Sequence, residues 1–247
     1  MTESNTMHFP RVIGHRGAAG HAPENTLAGF RTAAALGATW VEFDVALTRD
    51  NIPVLLHDET LERTTDGTGK LAEKTYQELS GLDAGAWFGQ AFAGEPIPRL
   101  DTTVALLDTL GLCANVEIKP TKGRARKTGE IVGRTIADKW PKSLRAPVFS
   151  SFTSEALAAA RKTAPTIPRG FLMHRMRRDW REQAEALDCL SIHCNHRILN
   201  ADRARQIRDA GYRLLAYTVN DAKRALQLTD WGVESVFSDF PDRILTI

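Results

Sequence analysis

The sequence predicts an α/β fold in which parallel strands alternate with helices. Eight short apolar runs recur along the 247 residues, and amphipathic stretches of helical length separate most of them. With 43% hydrophobic residues, the chain can bury one large core, although its length alone would also fit two smaller domains. Repeated strand and helix units are what a (β/α)8 TIM barrel requires, so we predict a single barrel domain over residues 1–247. A doubly wound open sheet is the structural alternative, because alternation does not show closure.

The predicted elements can be placed in order along the chain. The strands begin near Arg11, Trp40, Leu112, Pro147, Arg169, Cys189, Tyr212 and Glu234. The helices include 24–36, 153–163, 200–210 and 221–231. At the start of the first helix, Asn25 is predicted to cap exposed amides, and Leu27 and Phe30 are predicted to face inward. A segment rich in glycine and proline interrupts the alternation, and we predict a small insertion after the second strand, a subdomain at about 58–100.

Charge and cysteine content restrict the class of protein. The chain has 32 basic and 30 acidic side chains, so its net charge of +2 favours neither nucleic acid nor an anionic membrane. Three cysteines do not suggest a disulfide framework and fit a reducing compartment. Because the sequence shows no targeting segment and no run of about 18 apolar residues, we expect a cytoplasmic protein without stable membrane association. The oligomeric state is left open, with a homo-oligomer as one option.

Acidic side chains cluster on two predicted strands. Glu42 and Asp44 are two residues apart in WVEFDVAL, so they point to the same side of the strand. Glu117 and Lys119 repeat this spacing in NVEIK, on the next predicted barrel strand. Three converging carboxylates resist ionisation unless a hard cation relieves their repulsion. Oxygen ligands favour one divalent cation, Mg²⁺ or Ca²⁺, over zinc, and ion pairs of the carboxylates with Arg16 and Lys119 are the alternative.

Two histidines are predicted to lie at the same rim of the barrel. His15 ends the first strand, and His57 ends the PVLLHD run. A histidine pKa near neutrality allows one imidazole to withdraw a proton from a nucleophile and another to donate one to a leaving oxygen. The planar guanidinium of Arg16 matches two phosphate oxygens. These residues predict a metal-assisted phosphoryl site, and hydrogen-bonded histidines with a purely structural role are the alternative.

Several separated motifs occur in a specific order: HRGAAGHAPENT, VEFDVALTRDNIPVLLHDETLERTTDGTG, NVEIKP, SSF, YTVN and SVFSDFPD. In order and spacing they resemble the glycerophosphodiester phosphodiesterase family from end to end. The resemblance implies a TIM barrel with an insertion after the second strand. It also implies hydrolysis of glycerophosphodiesters, such as glycerophosphocholine or glycerophosphoethanolamine, to glycerol 3-phosphate and an alcohol. Carried over by motif, the site consists of the acid/base pair His15 and His57, the cation ligands Glu42, Asp44 and Glu117, and the phosphate contacts Arg16 and Lys119.

The sequence departs from the family pattern at two places and leaves several alternatives open. Tyr217 stands where a tryptophan is usual, and Glu234-Ser235 replaces a common Asp-Gly pair. The nucleophile could be water or the glycerol 2-hydroxyl, and either histidine could be the acid. A phospholipase D-like or C-like enzyme acting on intact lipids is a second interpretation. A non-catalytic module that binds phosphodiesters on the same fold is a third.

Overall fold

The computed structural model describes residues 7–246, which form a closed parallel barrel surrounded by helices. The strands are β1 Val12–Gly14, β2 Trp40–Leu47, β3 Pro53–Leu55, β4 Cys113–Ile118, β5 Val148–Ser151, β6 Arg169–Met173, β7 Ser191–Asn195, β8 Arg213–Tyr217 and β9 Ser235–Ser238. All except β3 belong to the barrel, and β1 pairs in parallel with both β2 and β9, which closes it. The predicted barrel and its eight strands are therefore confirmed, and the open-sheet alternative is wrong.

Helices follow the barrel strands and cover their outer face. They are α1 Leu27–Ala35, α2 Tyr76–Leu79, α3 Leu100–Leu110, α4 Ala125–Lys139, α5 Ser154–Thr163, α6 Trp180–Ala186, α7 Ala201–Asp209, α8 Ala222–Asp230 and α9 Pro241–Leu245. The four predicted helices correspond to α1, α5, α7 and α8. No helix within residues 7–246 is long and apolar enough to cross a membrane.

The alternation of side chains along β2 places apolar groups outside the barrel and polar groups inside it. Val41, Phe43 and Val45 pack in the main core, where Phe43 meets Phe30 of α1 with ring centroids 5.5 Å apart. On the opposite side of β2, Trp40 belongs to a separate buried cluster with Phe9, Ile13, Cys113, Val148, Leu215 and Phe237. Glu42 and Asp44 have the same strand phase as Trp40 and lie nearer the C-terminal end. An apolar layer therefore lies below the polar site.

The segment between β2 and α3 has its own small core. Strand β3 turns back and pairs antiparallel with β2, with Val45 opposite Leu55. Apolar side chains of β2, β3 and the residues that follow form a cluster separate from the barrel core: Ala46, Val54, Leu56, Leu61, Leu71, Leu79, Ala84 and Ile97. The capping box of Thr75 and Glu78 begins the short helix α2. The subdomain boundaries at about 58–100 stay a prediction.

Candidate active site

A cavity of about 260 Å³ opens where the barrel strands end. Its lining includes six of the predicted site residues, His15, Arg16, Glu42, His57, Glu117 and Lys119. The seventh, Asp44, is buried beside them and forms ion pairs with Arg16 and Lys119. The structure thus brings all seven side chains to one place. Four of them follow strand ends, and the three carboxylates point into the barrel from β2 and β4.

Three carboxylates lie together at the floor of this cavity, which Glu42 and Glu117 line and beside which Asp44 is buried. In the register of β2 and β4, Asp44 is opposite Glu117, and Glu42 is opposite Asn115. Glu42, Asp44 and Glu117 each offer an oxygen within 4.8 Å of the others. Glu42 and Asp44 are buried, and Glu117 is intermediate in exposure. Oxygen ligands at this spacing suit a hard divalent cation.

The two cationic side chains at the floor, Arg16 and Lys119, both form ion pairs with Asp44. Nε of Arg16 lies 3.3 Å and Nζ of Lys119 lies 3.4 Å from oxygens of Asp44. The predicted alternative of ion pairs therefore applies to Asp44. Burial opposes the charge of Asp44, but Arg16 and Lys119 hold its pKa below the ordinary value.

Glu42 and Glu117 have less compensating positive charge beside them than Asp44 has. Burial, with the negative charge of Asp44, raises the pKa of Glu42 well above its ordinary range and that of Glu117 to about 8. Glu42 accepts a hydrogen bond from the Arg16 backbone N–H at 3.0 Å, and no hydrogen bond to the Glu117 carboxylate is found within residues 7–246. A bound divalent cation would supply the missing charge. The donor set therefore fits a cation, and Glu42, Asp44 and Glu117 are the residues that could hold it.

Asn25 has a different position from the one predicted. Thr26, not Asn25, caps α1, because its side chain accepts a hydrogen bond from the Gly29 N–H. Asn25 instead adopts a left-handed backbone conformation with φ of 56°. Its Nδ2 donates to Asp44 Oδ2 at 2.9 Å, and its Oδ1 accepts from the Asp44 backbone N–H at 3.1 Å. The predicted cap is therefore wrong, and Asn25 fixes the orientation of Asp44.

The turn after β1 directs the Arg16 backbone towards the floor. Arg16 has a φ of 50° and Gly17 a φ of 92°, both in the left-handed region. This turn lets the Arg16 N–H donate to Glu42 and the Gly17 N–H donate to the Glu42 carbonyl at 3.2 Å. A Cβ atom on Gly17 would lie 2.7 Å from the carbonyl carbon of Gly29. Glycine is required here both by its φ and by the close approach of α1.

His15 is held by a carboxylate from the opposite end of the chain. Its Nδ1 lies 2.6 Å from Oδ1 of Asp239, the residue after β9. The amide of Asn220 donates to Asp239 Oδ2 at 2.7 Å and accepts from the Asp239 N–H at 2.9 Å. A neutral imidazole that donates from Nδ1 leaves Nε2 free to accept a proton. Nε2 of His15 lies 3.9 Å from Glu42 Oε2, so it faces the carboxylate floor.

His57 has the same arrangement with a different partner. Its Nδ1 lies 2.7 Å from Oδ1 of Asp58, the next residue. Burial, together with the nearby cations Arg16 and Lys119, lowers the pKa of His57 despite the opposing charge of Asp44. Both candidate histidines therefore have Nδ1 bound to a carboxylate, and both line the cavity.

An aromatic pair forms part of the cavity wall. The rings of Phe152 and Tyr217 meet edge to face, with centroids 5.9 Å apart. The departure from tryptophan at Tyr217 therefore lies in the cavity wall. Glu234 accepts from Arg213 at 2.6 Å and from the Phe9 N–H at 3.2 Å, so this second departure contributes to contacts of the strands below the site.

The other histidines near strand ends differ in position. His174 lines the cavity and contacts Asn195 at 3.3 Å. His193 is fully buried inside the barrel and hydrogen-bonds to Ser191 at 2.8 Å. Burial lowers the pKa of His193 to about 3, so this ring is a neutral structural residue.

Several contacts of the site were not predicted. They involve Glu24, Asn25, Asp58, Arg63, Asn220 and Asp239. The available signals were weak: Asp58 directly follows a candidate histidine, and Asp239 directly follows the last strand.

Comparison with known proteins gives a consistent family. Residues 15–243 match the glycerophosphoryl diester phosphodiesterase family. A glycerophosphodiester phosphodiesterase of Caldanaerobacter subterraneus is 31% identical over 243 residues, which is 96% of each chain. YhdW of Bacillus subtilis is 34% identical over 239 residues, covering 95% of this chain and 96% of its own length. An Oleispira antarctica phosphodiesterase, solved in complex with the product sn-glycerol-3-phosphate, is 40% identical over 96% of each chain, with a TM-score of 0.93.

Proposed function

The chain belongs to the glycerophosphoryl diester phosphodiesterase family, and from this premise we propose that it hydrolyses glycerophosphodiesters to glycerol 3-phosphate and an alcohol. Glycerophosphocholine, glycerophosphoethanolamine and similar molecules are the substrate class. The product named for the Oleispira antarctica phosphodiesterase supports this reading, since that protein shares the fold over nearly its whole length.

One observation carries the proposal: two histidines, each bound through Nδ1 to a carboxylate, line a cavity beside a cluster of three carboxylates. Acid/base groups and a cation site are two components that together can catalyse phosphodiester cleavage. In this proposal His15 and His57 are the catalytic pair.

Glu42, Asp44 and Glu117 are proposed to hold one divalent cation, Mg²⁺ or Ca²⁺. When bound, the cation would neutralise charge on the phosphodiester oxygens and so stabilise the transition state. Arg16 and Lys119 line the same cavity, so we assign them to the phosphate. The guanidinium of Arg16 can present more than one N–H to phosphate oxygens, whereas Lys119 contributes a mobile point charge.

The two histidines divide the proton transfers. One accepts a proton at Nε2 from the nucleophile, which is water or the glycerol 2-hydroxyl, and the other donates a proton to the departing alcohol oxygen. If the 2-hydroxyl attacks, a cyclic phosphate forms, and a water molecule then opens it to glycerol 3-phosphate. Asp58 and Asp239 hold the two rings in the orientation that presents Nε2. Phe152 and Tyr217 provide an apolar surface for part of the substrate.

The test is incubation with glycerophosphocholine and measurement of released glycerol 3-phosphate. A chelator should abolish the release, and added Mg²⁺ or Ca²⁺ should restore it. His15→Ala and His57→Ala should each lower kcat by about 100-fold or more, because each removes a proton-transfer group. His8→Ala is the matched control, since His8 is exposed and outside the cavity. Full activity of either cavity variant would refute the assignment.

A parallel assay on vesicles of intact phospholipid separates the alternatives. Turnover of vesicles without turnover of glycerophosphocholine would favour a phospholipase. Binding of glycerophosphocholine without turnover at any cation concentration would favour a non-catalytic module.

A further inference from the structure

Arg63 lies in the segment between β3 and α3 and contacts two carboxylates beside the cavity. Its Nε donates to Asp58 Oδ2 at 2.5 Å, and Nη2 donates to Asp58 Oδ1 at 3.2 Å. Nη1 and Nη2 also donate to the two oxygens of Glu24, each at 2.8 Å. The two edges of one guanidinium therefore hydrogen-bond to carboxylates in two different loops of the chain.

Each of these carboxylates contacts a residue of the proposed site. Asp58 Oδ1 lies 2.7 Å from His57 Nδ1. Glu24 Oε1 accepts from Arg16 Nη1 at 2.7 Å. The result is a continuous series of charged contacts from His57 through Asp58, Arg63 and Glu24 to Arg16. Arg63 is the link between its two halves.

The geometry of the series requires arginine at its centre. A guanidinium has five N–H donors in one plane and can form paired hydrogen bonds with two carboxylates, whereas an ammonium is a single point of charge. Glu24 is largely buried, with 10% of its side chain exposed, while Arg63 is 44% exposed. Exposed ion pairs contribute little to the free energy of folding. The contacts of Arg63 therefore matter more for the orientation of its partners than for stability.

Among the described residues, Arg63 is the one arginine or lysine that contacts the Asp58 carboxylate. Within residues 7–246, its side-chain contacts are with His57 and Arg63. Hydrogen bonds from Arg63 hold the pKa of Asp58 at about 2, so the carboxylate is ionised and can only accept. An Asp58 fixed in this state keeps the His57 proton on Nδ1. His15 obtains the same result from Asp239, which an uncharged amide of Asn220 holds.

We propose that Arg63 is a positioning residue that fixes Asp58, and through it the Nδ1–H tautomer of His57, while fastening Glu24 and Arg16 on the other side. The inference rests on the proposed function, because it takes His57 to act on the substrate. Under this proposal, the segment after β3 contributes a residue that orients the side chains of the site.

The first experiment compares Arg63→Gln and Arg63→Lys with the matched control Arg49→Gln. Arg49 also pairs with a carboxylate of the same segment, Glu78 at 3.2 Å, but has no contact with the cavity. Loss of a group that orients a metal ligand typically costs about 10- to 100-fold in activity, and we expect a comparable scale for a group that orients a catalytic histidine. We expect Arg63→Gln to lower kcat by about tenfold, Arg63→Lys to give an intermediate kcat, and Arg49→Gln to match the wild type. Thermal unfolding of each variant verifies that the chain is folded.

The second experiment tests whether Arg63 acts through Asp58. In an Asp58→Asn background, Arg63→Gln should lower kcat much less than its effect of about tenfold in the wild type, because the part of that effect that passes through Asp58 is already lost. A merely structural Arg63 would instead give multiplicative losses.

The third experiment reads the tautomer directly and needs no substrate. Imidazole ¹⁵N chemical shifts should show His57 protonated at Nδ1 in the wild type and a mixture of tautomers in Arg63→Gln. An unchanged His57 tautomer in folded Arg63→Gln, or a kcat equal to that of Arg49→Gln, would overturn the proposal. If the wild type fails to hydrolyse glycerophosphodiesters, the proposed function fails, while the tautomer measurement still decides the role of Arg63.

Discussion

Removing the divalent cation should make the stability of the fold depend on pH through Glu117. Burial and the charge of Asp44 raise the pKa of Glu117 from an ordinary value of 4.5 to about 8. Between these values the cation-free native state holds a proton that the unfolded chain has released. Its stabilising effect is therefore complete below pH 4.5 and is lost as pH rises towards 8.

The size of the effect follows from one proton. A single proton difference changes the free energy of unfolding by about 1.4 kcal/mol per pH unit. Glu117→Gln removes the titrating group and keeps the shape of the side chain. Relative to this variant, the wild type should lose up to about 2.7 kcal/mol of stability between about pH 5.5 and 7.5 in chelator.

The comparison with Glu117→Gln also removes the contributions of the two histidines with lowered pKa values. His57 and His193 have lowered pKa values, so their titration makes the fold more stable as pH rises towards 6.5. Both histidines are present in the wild type and in the variant, and their effects cancel in the difference. Glu42 is also present in both proteins, but the charge of Glu117 is one of the causes that raise its pKa, so its contribution cancels only in part.

Urea unfolding at a series of pH values, in chelator and with saturating Mg²⁺ or Ca²⁺, measures the difference. With the cation bound, the pH dependence of the difference between wild type and Glu117→Gln should disappear, because the cation replaces the proton as the balancing charge on Glu117. A stability difference between wild type and Glu117→Gln that is flat across this range in chelator would refute the reasoning.

Two further predictions concern the floor and the turn beside it. Asn25→Gly keeps the left-handed backbone but removes the amide that orients Asp44, so the affinity for the cation should fall about tenfold in calorimetric titration; unchanged affinity would contradict the role of Asn25. Gly17→Ala should lower the free energy of unfolding by about 2 kcal/mol or more in urea, since its Cβ meets Gly29. Gly37→Ala is its control, because Gly37 also has a positive φ but its nearest neighbour is 3.7 Å away; equal losses would exclude the steric argument.

Strand phase made the floor of the site predictable from the sequence. Glu42 and Asp44 share a side of β2 because side chains alternate, and the pairing with β4 then places Glu117 beside Asp44. His15 was predictable for a similar reason, since it follows an apolar run directly and must lie at a strand end. These inferences use only short stretches of chain and the rule that parallel strands end at one rim.

The roles of Asn25 and Arg63 could not be predicted from the sequence, because both depend on the conformation of loops. Asparagine both caps helices and adopts positive φ more readily than most residues, so the sequence around Asn25 fitted a cap equally well. Only the turn that buries Asn25 shows that its amide serves Asp44. Arg63 likewise lies in a segment without a periodic pattern, 39 residues from Glu24 in sequence, and nothing local indicates that they meet.

The contact between His15 and Asp239 could not be predicted from the sequence either, because it depends on closure of the barrel. Gly14 of β1 is opposite Ser238 of β9, and the His15 N–H donates to the Ser238 carbonyl at 2.8 Å. That register places Asp239 directly beside His15, although the two are 224 residues apart. An open sheet would leave β1 and β9 without this pairing and His15 without its carboxylate. Closure of the barrel is therefore a chemical requirement of the site, because it completes one of the two histidine–carboxylate pairs.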